Sequence, residues 1–331
     1  MDRDDPGGVT WRPLGQDDLE ALFALYERWE TEVDQSYRTS RAELEHEMAE
    51  PDTDLATDTL VAVDAHGALV ASVWLRIRSR PGLKHRVDVM TTAIDGYGHL
   101  EIEALEWAHE EAQTRLRDAN DQLPRVIRGF AETTATSKLA RYESFGFEIV
   151  RYFVDMARPA DANVGAETIP AGVESVAWDD RWARSTFDTE VEAFADHWGV
   201  LPPTWEEFQH RLAWPGSRLD LSFLAIADGQ VVSYCLNGVY PQDFELRGRS
   251  QGWIETLGTL RAWRKQGLAS ALVNESIRRF ATEGLEYAAI GVDAANPTGA
   301  FGLYERLGFV EETKSVALMK SIEMTGDRPA I

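Results

Sequence analysis

Short runs of alternating apolar and polar residues, punctuated by Gly turns, occur twice along the chain in the same order. LVAVDAHGALVASVWLRI (60–77) reads as strand, tight turn at His66-Gly67, strand; FLAIADGQVVSYCLNGV (223–239) reads the same, with its turn at Asp228-Gly229. The two turn glycines are 162 residues apart. Helical periodicity precedes each hairpin, in DDLEALFALYERWETEV in the first half and in DRWARSTFDTEVEAFADHWG and PTWEEFQHRLAW in the second. After each hairpin come a strand (RVDVMTTAI; WIETLGTL), a helix (EIEALEWAHEEAQTRL; LASALVNESIRRFATEG), a strand (RVIRGFAE; YAAIGVDA), a short helix and a last strand.

The short helices end in an echo, RYESFGF from Arg141 and LYERLGF from Leu303, again 162 residues apart at Tyr142 and Tyr304. Gly146 and Gly308 are placed to end a helix at positive φ, and Phe147 and Phe309 to start a strand inside the core. The pattern predicts a duplicated α/β (α+β) unit. Each copy should hold a mixed, mainly antiparallel sheet flanked by helices, because a hairpin and a further strand precede one β-α-β crossover. The expected boundaries are 1–158 for the first domain, an Ala/Pro/Gly-rich linker at 159–173, and 174–331 for the second.

Composition narrows the function classes. The chain has 331 residues, 44% of them hydrophobic, and two domains are the default for that length. Its 56 acidic and 33 basic residues give a formal charge of −23, which disfavours a nucleic-acid partner. No apolar run is long enough to cross a bilayer. The start, MDRDDPGG, lacks a basic region followed by an apolar stretch, so no secretory signal is expected. Cys235 stands alone, which fits a reducing, cytoplasmic setting. The seven His and one Cys show no metal-ligand spacing, so no metal is expected.

The halves differ at one place. In the second, strand 253–259 leads through Arg264-Lys265-Gln266-Gly267-Leu268-Ala269 straight into a helix. A glycine and a small residue two apart at a helix start let backbone N–H groups approach an anion closely, and the helix dipole adds to the attraction. In the first half, Tyr97, Leu100 and Ile102 align with Arg264, Gly267 and Ala269, and bulky side chains there block such an approach. The first domain is therefore expected not to use a pyrophosphate-bearing co-substrate for catalysis; DGYGH (95–99) leaves weak nucleotide binding open.

Strand, Arg-x-x-Gly-x-Ala, helix, strand, Asn296-Pro297, helix and Tyr304-Glu-x-Leu-Gly-Phe309 together resemble the GNAT acyltransferase superfamily. The full motif set covers about 168–322; the first half (9–158) matches by layout and by Tyr142 to Phe147 only. A tandem arrangement with the motif in the C-terminal copy alone is similar to mycothiol synthase-like double-GNAT proteins. The resemblance implies an N-acetyltransferase using acetyl-CoA, held by Leu257, Gly258, Thr259, Arg264, Lys265, Gln266, Gly267, Leu268, Ala269 and Ser270. Asn296 matches the family's contact to the pantetheine arm, although it is equally placed to cap a helix. An oxyanion would take a backbone N–H from 257–259, where Gly258 eases close approach. Tyr304 occupies the family's general-acid position, while Tyr142 shows that the residue also survives without the loop.

For a base, strand alternation puts Trp253, Glu255, Leu257 and Thr259 on one face, making Glu255 the candidate; the family also works without a dedicated base. Asp196, His197 and Trp198, at a helix end before Pro202-Pro203, suit an amine-bearing ligand. Helix capping with a packed Trp explains them equally well. Three readings stay open: an acetyltransferase for a small-molecule primary amine, acting by direct attack in a ternary complex; a protein or peptide N-acetyltransferase; and a non-catalytic acyl-CoA-binding regulatory module. A monomer or homodimer is expected.

Overall fold

The computed structural model describes residues 8–80, 84–116, 123–165, 169–195, 197–295 and 300–322. The chain divides into two compact units, one of residues 1–152 and 315–331, the other of 153–314. These limits differ from the expected 1–158, 159–173 and 174–331, and the reason is an exchange of last strands. In chain order the first half forms β1 (Thr10–Arg12), α1 (Leu19–Glu32), α2 (Arg41–Met48), α3 (Leu55–Asp58), β2 (Thr59–Val63), β3 (Leu69–Arg80), β4 (Lys84–Ala93), α4 (Leu100–Leu116), β5 (Arg125–Glu132), α5 (Thr136–Ser144) and β6 (Glu148–Pro159). The second forms β7 (Val173–Ala177), α6 (Ala183–Ala193), α7 (Trp205–Leu212), β8 (Phe223–Ala227), β9 (Gln230–Val239), α8 (Phe244–Arg247), β10 (Gln251–Thr259), α9 (Leu268–Thr282), β11 (Tyr287–Asp293), α10 (Ala300–Arg306) and β12 (Val310–Ser321).

Residues 153–159 of β6 pair with β11 in the second unit, and residues 315–321 of β12 pair with β5 in the first. The expected linker is likewise drawn into the second unit. Ala160 donates to the Glu286 carbonyl at 2.8 Å, and Asn274 and Arg278 of α9 donate to the carbonyls of Gly165 and Val164 at 3.0 Å.

In the first unit β1, β2, β3 and β4 pair antiparallel in sequence, and β4 meets β5 in parallel. In the second unit β7, β8, β9 and β10 pair antiparallel, β10 meets β11 in parallel, and β11 meets β6 antiparallel. Each sheet is thus mixed and mainly antiparallel, as its order of elements predicts. The second hairpin turns with both Asp228 and Gly229 at positive φ, 50° and 75°, the backbone a two-residue loop needs to match strand twist.

Helices form where apolar residues recur at helical spacing. In α1, Leu22, Leu25, Tyr26 and Trp29 are buried, and in α9 Leu268, Leu272, Ile277 and Phe280 are. Capping boxes, Ser40 with Glu43 and Thr204 with Glu207, start α2 and α7. The echoed glycines end their helices at φ 87° and 86°, and Phe147 and Phe309 are buried. Among the described residues no helix is long and apolar enough to cross a membrane.

Candidate functional site

The site is built on β10 and the loop that follows it. The parallel ladder to β11 covers only Gln251–Ile254 of β10, whereas the antiparallel ladder to β9 continues to Thr259. Leu260 N–H donates to the Val232 carbonyl, so along this antiparallel ladder Gly258 also points its N–H toward β9. Leu257 and Thr259 therefore direct theirs to the other edge, where β11 no longer pairs. The missing side chain of Gly258 serves β9: a β-carbon there would stand 2.4 Å from the Tyr234 ring. The close approach expected at Gly258 is thus a packing contact, and the outward amides belong to its neighbours.

A β-bulge corrects the expected face of Glu255. The register slips between Ile254 and Thr256, leaving Glu255 as the extra residue. Leu257 pairs with Cys235 and Trp253 with Gly238, so Leu257 and Thr259 lie on the α9 side and Trp253 on the opposite one. Exposed Glu255 goes with Trp253, its Oε1 2.9 Å from where a β-carbon on Gly238 would stand. An alternating Ile-Glu-Thr triplet gives no warning of a bulge.

The loop bends through Lys265 at φ 61° and Gly267 at φ 84° into the 15-residue α9. No side chain caps this helix, and the first amide after Gly267 with an acceptor is that of Ala271, which donates back to Gly267 at 2.9 Å. Among the described residues the N–H groups of Leu268, Ala269 and Ser270 have no acceptor within the protein. Three parallel amides at the positive end of a helix dipole form an anion site. The Arg264 guanidinium is turned inward, its Nε donating to the Thr259 carbonyl at 3.2 Å and its other nitrogen to the Ala193 carbonyl at 2.9 Å. Arg264 thus ties the end of α6 to β10. Gln266 donates to the Ala262 carbonyl at 3.0 Å, and Lys265 is exposed.

Tyr304 on α10 is buried beside Phe309, ring centroids 6.0 Å apart. Burial, with a smaller push from neighbouring Cys235, raises its phenol well above the ordinary value and keeps it protonated. Burial pushes Cys235 itself up to about 12. His197 and Trp198 are half-buried after α6; His197 Nδ1 lies 3.3 Å from the Trp198 carbonyl, and the Trp198 ring is 6.5 Å from that of Phe153. Asp196 and Asn296 lie outside the described residues. The fold thus packs Leu257, Leu268 and Tyr304 into one hydrophobic cluster, with Thr259 ending β10 before the loop to Gly267–Ser270. It leaves Glu255 on the opposite face of β10. Phe153 and Asp155 reach β11 on the first half's last strand, a placement without a local sequence signal, and face Gly291, a glycine inside a strand.

The comparisons with known proteins bear on the same segment. Residues 185–309 match the model of the acetyltransferase (GNAT) family. The second unit carries a GNAT acetyltransferase domain. A 99-residue stretch is 33% identical to the N-alpha-acetyltransferase MAK3 of Arabidopsis thaliana, covering 29% of this chain and 46% of that protein. The chain thus spans about half the length of the curated relative it matches. Beyond the GNAT domain, the whole fold is similar to a GCN5-related N-acetyltransferase from Sphaerobacter thermophilus, with TM-score 0.72, 23% identity and 98% of each chain covered. It is also similar to a tandem GNAT protein from the clavulanic acid biosynthesis pathway, with TM-score 0.68, 14% identity, and 95% of this chain and 99% of that one covered. At those identities the likeness is one of fold. It covers both halves of the chain.

Proposed function

We propose that the chain is an acyl-CoA-dependent N-acetyltransferase whose second unit moves acetyl from acetyl-CoA to the primary amine of a small molecule, by direct attack in a ternary complex. The observation that carries this is the uncapped start of α9 behind Gly267, next to the strand edge that β10 exposes beyond Ile254. Gly267, Leu268, Ala269 and Ser270 would hold the pyrophosphate, with Lys265 adding charge and Arg264 and Gln266 bracing the loop. Acetyl-CoA supplies an activated thioester and a thiolate leaving group. The outward N–H of Leu257 or Thr259 is the donor for developing oxyanion charge, and Tyr304, kept protonated by burial, is the acid for the departing sulfur. Glu255, on the far face, would take up the amine's proton through water. His197 and Trp198 line the acceptor side, and the protein works in the cytoplasm. The first unit holds no co-substrate and acts as a scaffold.

Counting acetyl-CoA bound per chain by native mass spectrometry tests this: one is expected, lost in Gly267→Glu. CoA release across an amine library then reports turnover, and absence of release with every amine would sink the enzyme reading. The stretch 33% identical to an N-alpha-acetyltransferase favours a second reading, a peptide N-terminal amine as acceptor. The library should therefore include short peptides, whose preference over small amines would select it.

A further inference from the structure

β11 is an interior strand of the second unit's sheet, flanked by β10 and by residues 153–159 of β6, yet Gly291 within it is exposed. Its neighbours Ile290 and Val292 are buried in the core under α9, so alternation places Gly291 on the opposite face. The register pairs Gly291 with Asp155 and Asp293 with Phe153, which puts Asp155 and Phe153 on that face too. Asp155 leans over the glycine: Oδ1 is 3.4 Å from where a β-carbon would stand. Thr313 Oγ1 donates to Oδ2 at 2.8 Å and fixes the carboxylate. Beside it, the half-buried rings of Phe153 and Trp198 lie 6.5 Å apart. Gly291 directly follows Ile290, the last residue paired with β10, so this carboxylate stands where the two strands part.

We infer that Asp155, over the bare backbone of Gly291 and beside Phe153 and Trp198, binds the acceptor amine in its ammonium form, with the amine's organic stem against the two rings. The inference rests on the reading of the second unit as an N-acetyltransferase and names what selects its acceptor. A carboxylate gives a cation a partner, and aromatic faces attract the same charge while burying an apolar stem. Glu255 serves a different place, since its carboxylate leans over Gly238 of β9, on the other side of β10 from Gly291. The acceptor site of the second half is therefore completed by a strand that the first half encodes.

Titration calorimetry on the full chain with CoA present tests the assignment, using phenethylammonium chloride and its neutral near-isostere 2-phenylethanol as probes. The wild type should bind the ammonium about tenfold or more tightly than the alcohol. Asp155→Asn retains an acceptor for Thr313, so it should remove that preference while leaving acetyl-CoA affinity unchanged. Thr313→Val, which keeps the carboxylate and loosens it, should reduce the preference in part. The assignment is overturned if neither probe binds saturably, if both bind alike to the wild type, or if Asp155→Asn keeps the preference. A parallel loss of acetyl-CoA affinity in Asp155→Asn would overturn it in favour of a structural role. Because the measurement needs no turnover, CoA release across the amine library tests the acetyltransferase reading separately.

Discussion

Tyr142 and Tyr304 stand at matching places in the two units, each before a Gly-Phe pair, and their surroundings differ. The Tyr142 hydroxyl lies 2.9 Å from Thr91 Oγ1, and its ring covers Gly129 so closely that a β-carbon there would be 2.4 Å from it. Val73 pairs with Thr91 as Cys235, 162 residues on, pairs with Leu257. An apolar Leu257 thus stands where the first unit offers a hydroxyl. Lys138 donates to the Thr91 carbonyl at 2.8 Å, with its ammonium 5.2 Å from the Trp29 ring; the position 162 residues later is Ala300. At the helix start, Leu100, Glu101 and Ile102 of the first unit donate back to Tyr97, Gly98 and His99, and Arg141, ion-paired to Glu101, packs on Gly98. The first unit satisfies its helix end with its own backbone carbonyls and covers its edge with Lys138. Among the described residues the second leaves both open, and a shared backbone motif says nothing about which copy does so.

The largest effect should come from closing the open helix end. Gly267→Glu forces a side chain into φ 84° and puts a carboxylate among the three amides, so acetyl-CoA affinity should fall about 100-fold or more, roughly 2.7 kcal/mol, by calorimetry. Unchanged affinity would mean that the open end is not the site. Exchanging phenol for phenyl in each unit sharpens the contrast. Tyr304→Phe should cut kcat about 100-fold at saturating acetyl-CoA with little change in melting temperature. Tyr142→Phe should leave turnover alone and cost about 1 kcal/mol of stability, the worth of its bond to Thr91. The reverse result would exchange the roles of the two copies.

Much of this contrast is written in the sequence. The paired hairpins, the glycines after the short helices and the loop from Arg264 to Ala269 announce themselves because each depends on backbone freedom or on local periodicity. What depends on pairing across the chain does not. Either last strand, 148–159 or 310–321, suits either sheet by composition, so the exchange that brings Phe153 and Asp155 to β11 has no local signature. The bulge at Glu255 hides in a triplet that alternates normally. Lys138 and Arg141 read as exposed charges on a short helix; only tertiary packing turns them into the stoppers of the first unit's edge.

A smaller effect is expected from removing one such stopper. Burial lowers the Lys138 pKa, partly offset by Glu101, with Arg141 adding to the lowering. Between that lowered value and the ordinary 10.5 the unfolded chain holds the proton and the folded one does not, so stability attributable to Lys138 rises with pH across this window. Lys138→Met lacks the group. Denaturant midpoints should therefore show wild type gaining on the variant as pH rises through the alkaline range. A difference independent of pH would mean that the ammonium is not confined as the geometry has it, and the first unit's edge would be less closed than its hydrogen bonds make it.

The smallest effect belongs to Cys235→Val, which gives the second unit the residue that Val73 supplies in the first. The thiol contacts Ser276 Oγ at 3.3 Å and Asn237 Oδ1 at 3.5 Å, weak bonds whose loss in a near-isosteric change should cost under about 1.5 kcal/mol. With its pKa pushed up to about 12, Cys235 stays a thiol at neutral pH and makes a poor nucleophile, although it lies next to Tyr304. Turnover in Cys235→Val should accordingly stay within about twofold of wild type, as direct attack requires and as an acyl-cysteine route does not permit. A variant that binds acetyl-CoA but no longer transfers acetyl would reverse that choice, and the difference that matters between the two copies would then be Cys235 against Val73 rather than Leu257 against Thr91.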